Sequence, residues 1–318
     1  MKRTLCFSNP AYLSSRLRQL EIEQPSENGK EVRKTTIPFE EIGVVILENP
    51  RITITQVALA SLLEENCAVI TCNEKYLPNG LLLPLDGHTL QARRFRNQID
   101  ASAPLKKQLW QQTVKQKIMN QARLLNRQGL DGTTLLKLYT EVRSGDPDNI
   151  EARAAVYYWS RIFQNQEFGQ FEGLGIQFED FVRDRHGDWP NVLFNYGYAV
   201  LRAVIARALV GSGLLPTLGI FHRNQYNAYC LADDIMEPYR PSVDGLVLKL
   251  IRQYPNFSEH PIGQLSPALK RELLVIPVMD VLMENKLKPL QTAAQRTAAS
   301  LAACFSGEDK YIKYPEFI

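Results

Sequence analysis

The sequence contains few cysteines and no Cys-x-x-Cys pair. Its five cysteines are odd in number and widely spaced, at Cys6, Cys67, Cys72, Cys230 and Cys304. A disulfide framework uses an even number of cysteines, and a structural zinc site uses closely spaced pairs. The sequence therefore excludes both kinds of small cysteine-dependent scaffold.

Long uninterrupted apolar runs are also absent. The best candidate for a membrane span, residues 192–221, is interrupted by Arg202 and Arg207 and falls short of the ~20 apolar residues that a span needs. We predict a buried helix there and no membrane association. The stretch "MKRTLCFSNPAYL" has no apolar core of signal-peptide length before Pro10. These absences predict a cytoplasmic protein.

The composition is that of a soluble globular protein. The chain has 318 residues, of which 45% are hydrophobic and 22% are charged, with a formal net charge of +3. This length is typical of one large domain or two ordinary domains, and we expect two. A mildly basic balance is compatible with nucleic-acid binding but does not predict it.

The hydrophobic pattern changes near residue 90. Before that point, short β-branched runs alternate with turn residues, and one helical segment, "TQVALASLLEEN", interrupts them. After it, helical periodicities cover about 104–127, 132–143, 147–165, 190–211, 233–253 and 266–303, with an insertion at about 165–188. We predict an α+β fold with an N-terminal β-rich domain at 1–87, a basic connector at 88–103, and a larger all-α domain at 104–318.

Basic residues are concentrated at the start of the second half. The run "QARRFRNQ" places Arg93, Arg94 and Arg96 together, and residues 104–127 add further lysines and arginines beside one apolar stripe. Two interpretations stay open at this point. The cations form either a solvated helix face or a face that follows a phosphate backbone.

An imidazole and three carboxylates are close together in "FHRNQYNAYCLADDIMEPYR". His222 is one of four histidines in the chain, and Asp233, Asp234 and Glu237 follow it. If a helical turn forms at Asp234, Glu237 lies on the same face, so the two carboxylates could bind one cation. Pro238 disfavours helix at Glu237 and predicts a kink. Alternatively, Asp233 or Asp234 is simply a helix cap.

A second acidic feature lies upstream. Asp146 followed by Pro147 predicts a helix start, with the aspartate as cap and the proline in the first turn. Glu151 then shares a helix face with Ala154, Ala155 and Tyr158. A lone carboxylate on such a face is costly unless it is paired or bound to a metal. A partly exposed glutamate is the alternative.

Short motifs spread over nearly the whole chain resemble a known family. "IEARAAVYYW", "FNYGYAVLR", "LGIFHRN" and "LADDIMEPYRPSVD" occur in that order, after "VVILENPRITIT" and "LPNGLLLPLDGH". Together they are similar to the CRISPR-associated adaptation integrases, which insert new spacers into CRISPR arrays, and most closely to the type II form. The resemblance implies an N-terminal β domain and a helical catalytic domain.

The resemblance also implies a set of functional residues. It assigns Glu151, His222 and Glu237 as catalytic metal ligands for Mg²⁺ or Mn²⁺, with Asp234 as an additional catalytic acid. The Asp233–Asp234 doublet leaves in doubt which aspartate faces the cation, and the spacing favours Asp234. Candidate DNA-binding residues are Arg93, Arg94, Arg96, Arg240, Tyr158 and Asn195.

The activity and partners implied by the resemblance are specific. The 3′-OH of a captured DNA fragment would attack the repeat backbone, so the partners include double-stranded DNA as prespacer and as CRISPR repeat. The family forms homodimers through the β domain and a complex with a small ferredoxin-like second adaptation protein. Type II systems add an end-tethering accessory protein and sometimes the effector nuclease. Two alternatives remain: a metal-dependent nuclease that hydrolyses branched DNA, and a non-enzymatic DNA-binding scaffold.

Overall fold

The computed structural model describes residues 2–25, 32–74, 76–164, 168, 178, 181–184, 187, 189–254 and 265–318. The chain divides into two compact units, Met1–Gln91 and Ala92–Ile318. Most of the insertion expected at about 165–188 lies outside the described residues. The α+β class predicted from the pattern change near residue 90 is confirmed, with strands in the first unit and mainly helices in the second.

The first unit contains two four-stranded sheets. One has the order β1-β5-β7-β8, in which β1, β5 and β7 are parallel and β8 is antiparallel. The other has the order β4-β3-β2-β6. The strands are β1 (Arg3–Phe7), β2 (Ala11–Arg16), β3 (Gln19–Pro25), β4 (Val32–Pro38), β5 (Ile42–Leu47), β6 (Ile52–Ile54), β7 (Ala68–Cys72) and β8 (Pro78–Leu82).

The core of this unit explains why β5 is apolar on both faces. Ile42 and Val45 of this strand are fully buried, as expected for the central strand of a parallel sheet covered on both sides. The predicted helix forms as α1 (Gln56–Glu64), and the side chain of Thr55 caps it by accepting a hydrogen bond from Ala58 N–H at 3.3 Å. Leu62 of α1 completes the core.

The second unit is built from helices around α6. The helices are α2 (Gln91–Ile99), α3 (Ala103–Arg127), α4 (Thr133–Glu141), α5 (Ile150–Arg161), α6 (Asn191–Gly211), α7 (Cys230–Met236), α8 (Arg240–Gln253), α9 (Pro267–Leu273) and α10 (Leu290–Ser306). Helix α6 packs against α7, α8 and α10. By length and composition α6 could cross a membrane, but 83% of its apolar window is buried inside the protein. It is a core helix, as predicted.

The predicted basic connector at 88–103 contains a regular helix, α2. Arginine and glutamine are good helix formers, and the segment has no internal glycine or proline to interrupt them. Gln98 fixes the end of this helix, because its amide nitrogen donates to Leu215 O and Leu218 O at 2.9 and 3.0 Å. Its amide oxygen accepts from Leu215 N–H. α2 thus holds the loop that precedes His222.

The helix predicted over about 266–303 is wrong in its central part. Between α9 and α10 the chain forms an antiparallel hairpin of β9 (Asp280–Met283) and β10 (Lys286–Pro289). Glu284 and Asn285 form its two-residue turn with φ of +50° and +63°, which is the left-handed geometry that two-residue hairpins require. In its described residues, the larger unit is therefore helical with a small β-hairpin rather than all-α.

The aromatic segment after α10 lies along α3. Gln112 donates to Lys310 O at 2.9 Å and accepts from Ile312 N–H at 2.8 Å. Gln116 and Asn120 donate to Pro315 O at 3.2 and 3.1 Å. Because Gln112, Gln116 and Asn120 are four residues apart, they form one row on the helix, here called the amide ladder. Residues 310–317 are thus held by the chain itself.

Candidate active site

Glu237 lies at a break between two helices. α7 ends at Met236, residues Glu237–Tyr239 form a 3-10 turn, and α8 starts at Arg240. Pro238 accounts for the break because it has no N–H to continue the helical hydrogen bonding. The kink predicted at this proline is therefore confirmed. Only 7% of the Glu237 side chain is exposed, so its charge must be balanced from within the protein.

Lys117 joins the two predicted glutamate ligands. Its Nζ donates a short hydrogen bond to Glu151 Oε1 and lies 2.6 Å from Glu237 Oε2. The lysine side chain is itself buried, with 9% exposed, and Glu151 is at 26%. Glu151 and Glu237, which are distant in sequence, are therefore brought together around one ammonium group that comes from α3.

The charges in this cluster shift one another's pKa values. Burial raises the pKa of Glu237, but the positive charges of Arg240 and Lys117 outweigh it and the net pKa is lowered. Burial lowers the pKa of Lys117, but the charges of Glu237 and Glu151 outweigh it and the net pKa is raised. Both groups are thus charged at neutral pH, and each one stabilises the other's ionised form.

Glu151 is positioned by Asp146, although not in the predicted way. The sequence predicted a helix with Asp146 as its cap and Pro147 in its first turn, but α5 starts at Ile150. Asp146 still satisfies the helix start, because its carboxylate accepts from Ile150 N–H and Glu151 N–H, each at 2.9 Å. The helix begins later because Asp146 and Asn149 adopt φ of +50° and +52°.

His222 and Asp234 form the second part of the cluster. His222 Nδ1 lies 2.5 Å from Asp234 Oδ1, and Asp234 Oδ2 accepts from Phe221 N–H at 2.9 Å. The hydrogen bond to Asp234 raises the pKa of His222, and burial raises the pKa of Asp234. With Nδ1 held by a carboxylate, Nε2 is the ring nitrogen left to bind a metal, as in many carboxylate–histidine–metal arrangements.

The two aspartates of the doublet have different partners. Asp234 is fully buried and holds His222. Asp233 lies 2.6 Å from Arg202 Nε and accepts from Asn227 Nδ2 at 2.8 Å. Of the two, Asp234 is therefore the one that serves the imidazole. Since its oxygens are taken up by His222 and by backbone N–H groups, it acts through the histidine.

Aromatic packing and one glycine fix the loop that carries His222. Trp110 of α3 stacks on Phe221 with a centroid distance of 4.3 Å and meets His222 edge-on at 5.7 Å. A Cβ at Gly219 would lie 2.4 Å from His222 O and 2.7 Å from Asp234 Oδ2. The glycine in the Gly-x-x-His motif is thus explained by close approach of the backbone to the aspartate.

Arg240 pairs with Glu237. Its guanidinium lies 3.0 Å from Glu237 Oε1 and sits over the ring of Tyr198, 4.8 Å from the centroid. Arg240, a candidate DNA-binding residue, is thus already paired with an acid of the site. Tyr198 is fixed in turn by a hydrogen bond of 2.5 Å to Asp244, whose pKa is raised by burial to about 6.

Tyr158 and Asn195, both candidate DNA-binding residues, make internal contacts. Tyr158 is fully buried, and its hydroxyl donates to Asp244 Oδ2 at 2.7 Å. Asn195 accepts from Arg183 at 2.7 Å. Tyr158 can therefore influence DNA only through other residues, and Asn195 fixes Arg183 beside α6.

The three arginines of α2 differ in exposure. Arg93 and Arg96 are exposed, whereas Arg94 is partly buried and donates to Ser212 O at 2.6 Å. Arg94 thus attaches α2 to the end of α6. Arg93 and Arg96 remain candidates for contact with a phosphate backbone.

Sequence reasoning missed the residues that α3 contributes to the site. Lys117 was treated as part of a basic face, either solvated or phosphate-binding, and it is neither. A usable signal was present, because Trp110, Val114, Lys117 and Gln121 recur at helical spacing and all four are buried. A lysine on the apolar stripe of a long helix indicates a buried partner of opposite charge.

A groove of about 420 Å³ opens beside His222. Its rim includes two cations, Lys106 and Arg223, together with three amide side chains. Those amides belong to Asn224, Gln225 and Asn227. Such a lining is suited to a phosphate-bearing ligand.

The chemistry of Glu151, His222 and Glu237 fits a divalent cation. Within the described residues, no group of three histidine, cysteine, aspartate or glutamate side chains has metal-binding spacing. Lys117 lies between the two glutamates instead. Glu237 Oε2 lies 2.6 Å from Lys117 Nζ, so this oxygen would be available to a metal only after the lysine withdrew. Two carboxylates and one imidazole suit Mn²⁺ or Mg²⁺.

Comparisons with known proteins agree on one family. Residues 5–260 match the family model described as CRISPR associated protein Cas1. The CRISPR-associated endonuclease Cas1 of Neisseria meningitidis serogroup C (strain 8013) is 36% identical over 319 residues, which covers 99% of this chain and 96% of the relative.

Solved structures show the same fold at lower identity. A casposase bound to integration product superposes with a TM-score of 0.76 at 19% identity, covering 98% of this chain and 93% of that one. A Cas6-RT-Cas1–Cas2 complex gives a TM-score of 0.70 at 20% identity, covering 98% of this chain and 36% of that one.

These comparisons identify a CRISPR-associated enzyme that acts on DNA. This class rests on the family match and on the near full-length relative rather than on the fold alone. The chain belongs to the Cas1 family.

Proposed function

We propose that the protein is a CRISPR adaptation integrase that inserts new spacers into a CRISPR array and also has DNA endonuclease activity. The observations that carry the proposal are the meeting of Glu151 and Glu237 at Lys117 and the electrostatic interaction of Glu237 with the Asp234-held His222, which lines a basic groove. These are the acids and the imidazole expected for strand transfer on DNA. The Cas1 endonuclease of Neisseria meningitidis serogroup C supports the assignment.

The reaction is a transesterification. The 3′-OH of the captured fragment loses its proton and forms a new bond to a phosphorus atom of the repeat. The bond from that phosphorus to the 3′ oxygen of the repeat strand breaks and this oxygen takes up a proton, so the numbers of phosphodiester bonds and of 3′-OH groups are unchanged. No ATP and no covalent protein intermediate are required.

The proposed cofactor is Mg²⁺ or Mn²⁺, held by Glu151, His222 and Glu237. A divalent cation bound there supplies a Lewis acid for the phosphate and orients the attacking and leaving oxygens. The protein's own groups prepare this site. Asp234 fixes the orientation of the imidazole by holding Nδ1, and the groove leaves His222 accessible, with 46% of its side chain exposed.

Arg240 supplies fixed positive charge near the phosphate. Its stacking on Tyr198 and its pairing with Glu237 limit its motion. A guanidinium held in this way can accept negative charge that develops on the phosphate without reorganising first.

The proposed partners are double-stranded DNA, as prespacer and repeat, and the small ferredoxin-like second adaptation protein. Two structural relatives support them: one is described as bound to integration product, and the other as a Cas1–Cas2 complex. We further propose a homodimer formed through the β-rich unit, a cytoplasmic location, and recruitment of a type II end-tethering protein and effector nuclease.

The test is joining of a labelled 3′-OH DNA duplex to a repeat-bearing plasmid, with the second adaptation protein present and Mn²⁺ added. The native protein is expected to give joined product, and Glu237→Ala is expected to give none. Glu284→Ala is the matched control, because Glu284 also carries two cations but is exposed. The control is expected to join normally.

The other outcomes favour other functions. Cleaved products without joined ones would indicate a nuclease that hydrolyses branched DNA rather than an integrase. Binding of DNA without either reaction, and without any effect of Mn²⁺, would indicate a scaffold. Full activity of a folded Glu237→Ala variant would remove Glu237 from the site.

A further inference from the structure

We propose that Lys117 is a resident cation that occupies the position between Glu151 and Glu237 in the metal-free protein and must leave when the metal binds. This inference rests on the proposed function, because it concerns the same site. It assigns to Lys117 a regulatory role that the motifs of the family resemblance do not include. Lys117 would set the concentration of divalent cation at which the site fills.

The first argument is position. The ammonium group contacts one carboxylate oxygen of each glutamate, and its side chain is 9% exposed. Glu151 comes from α5, Glu237 from the turn after α7, and Lys117 from α3. A divalent cation bound by both glutamates would need the same space and the same two oxygens. Lys117 and the metal therefore compete for one position.

The second argument is charge. With Lys117 in place, each glutamate already has a positive partner, and Glu237 has Arg240 as well. A divalent cation that entered beside an unmoved ammonium would bring three positive charges together in a partly buried site. Like charges at such distances repel strongly where water is scarce. Displacement of the lysine removes that repulsion.

The third argument is that Lys117 can move, whereas Arg240 is fixed. Lysine carries a compact charge on a flexible four-carbon stem, and arginine is planar and stacks on aromatic rings. Arg240 is stacked on Tyr198. Lys117 reaches both glutamates through its terminal nitrogen alone. It can therefore withdraw along its flexible stem while Arg240 stays beside Glu237.

The experiment compares Mn²⁺ binding by the native protein and by Lys117→Met, which keeps the length of the stem and removes the charge. Binding is measured by isothermal titration calorimetry on the full chain, and thermal unfolding is followed with and without Mn²⁺. We expect Lys117→Met to bind Mn²⁺ at least about tenfold more tightly, because its competitor is gone. We also expect a lower Tm without metal and a larger rise in Tm on adding Mn²⁺.

Two further variants make the result specific. Lys115→Met removes a charge two residues away on the same helix, where Nζ lies 5.2 Å from the centre of the Tyr139 ring. It is expected to leave Mn²⁺ affinity unchanged. Lys117→Arg keeps a cation that can bond both carboxylates and is expected to bind Mn²⁺ at least about threefold more weakly. This variant decides the question if Lys117→Met does not fold without metal.

The outcomes separate this inference from the function on which it rests. If the native protein binds Mn²⁺ but Lys117→Met binds it equally or more weakly, the resident-cation role is wrong and the integrase proposal stands. The same holds if Lys117→Arg binds as tightly as the native protein. If neither the native protein nor Lys117→Met binds Mn²⁺ or Mg²⁺, both the metal site and the resident cation are wrong.

Discussion

Two glutamates in the helical unit each form ion pairs with two basic side chains, but one glutamate is buried and the other is exposed. Glu237 is 7% exposed, with Lys117 at 2.6 Å and Arg240 at 3.0 Å. Glu284, in the hairpin turn, is 46% exposed, with Arg296 at 3.1 Å and Lys313 at 2.7 Å. Hydrogen bonds from Arg296 and Lys313 lower the pKa of Glu284 to about 2. The pKa of Glu237 is lowered as well, but against a large opposing effect of burial.

The difference shows how one arrangement of charges serves two purposes. At Glu284, water competes with both cations, so the pairs contribute little and can be lost cheaply. At Glu237, water is largely excluded, so loss of a partner leaves a buried charge unpaired, which is costly. The ionised form of Glu237 thus depends on its charged partners, whereas that of Glu284 is also stabilised by water. The cluster at Glu237 is suited to chemistry. The cluster at Glu284 is suited to attaching the β9–β10 hairpin to the segment after α10.

The largest difference is expected between Arg240→Met and Arg296→Met. The first removes a partner of the buried carboxylate and should lower the free energy of unfolding by about 3 kcal/mol. For a helical unit of this size, that is a fall in Tm of roughly 6–12 °C. Arg296→Met should change Tm little. Thermal unfolding followed by circular dichroism measures both, and equal shifts for the two variants would contradict the contrast between buried and exposed charge.

A smaller effect is expected for Asp234→Asn. The substitution keeps the size of the side chain but removes the negative charge that holds His222 Nδ1. Because partners of this kind orient a metal-binding imidazole, we expect the rate of strand joining to fall by about 10–100-fold. Asp233→Asn changes the ion pair with Arg202 instead, so the rate of strand joining should fall less for this variant. A rate for Asp234→Asn within twofold of the native value would show that the imidazole needs no such support.

Asn120→Ala tests how far the buried cluster depends on the amide ladder. Asn120 donates to Pro238 O at 2.7 Å and to Pro315 O at 3.1 Å, so it connects the turn that carries Glu237 to residues 310–317. Its loss removes both of these hydrogen bonds and the acceptor of Phe317 N–H, which should cost about 1–2 kcal/mol. Gln112 lies at the exposed end of the ladder, so Gln112→Ala should lower the free energy of unfolding less than Asn120→Ala does. Chemical denaturation measures the free energy of unfolding of both variants. A larger loss for Gln112→Ala than for Asn120→Ala would contradict this prediction.

The smallest effect is expected for Glu284→Gln, and it should depend on pH. The folded pKa of Glu284 is about 2, below its unfolded value of about 4.3. A depressed pKa contributes stability that is present above pH ~4.3 and is lost as the pH falls towards 2. The native protein should therefore melt slightly above Glu284→Gln at pH 6, and the two should converge as the pH falls through about 2. A difference that grows on acidification would contradict this sign.

Local patterns were enough to predict several features of the fold. The pattern change near residue 90, the buried helix with Arg202 and Arg207, and the break at Pro238 all follow from spacing and from the chemistry of proline. The hairpin at Glu284 and Asn285 was missed because its turn has no glycine. Its apolar residues also fit the helical period on either side, so the segment was read as one helix.

The surroundings of the candidate site were harder to predict, because they depend on contacts between distant residues. Lys117 is 34 residues from Glu151 and 120 from Glu237, and no local pattern connects them. The motifs identified the acids and the histidine, whose roles remain predictions. They did not indicate that a lysine, a tryptophan and an asparagine of α3 complete the surroundings.

The amide ladder also determines when the protein can complete its fold during synthesis. Asn120 and Phe317, which share a hydrogen bond, are 197 residues apart in the chain. During synthesis at roughly 5–20 residues per second, α3 emerges about 10–40 s before its partner segment does. For that interval the polar row of α3 faces water or a chaperone rather than residues 310–317. The turn that carries Glu237 thus acquires its full support only late in translation.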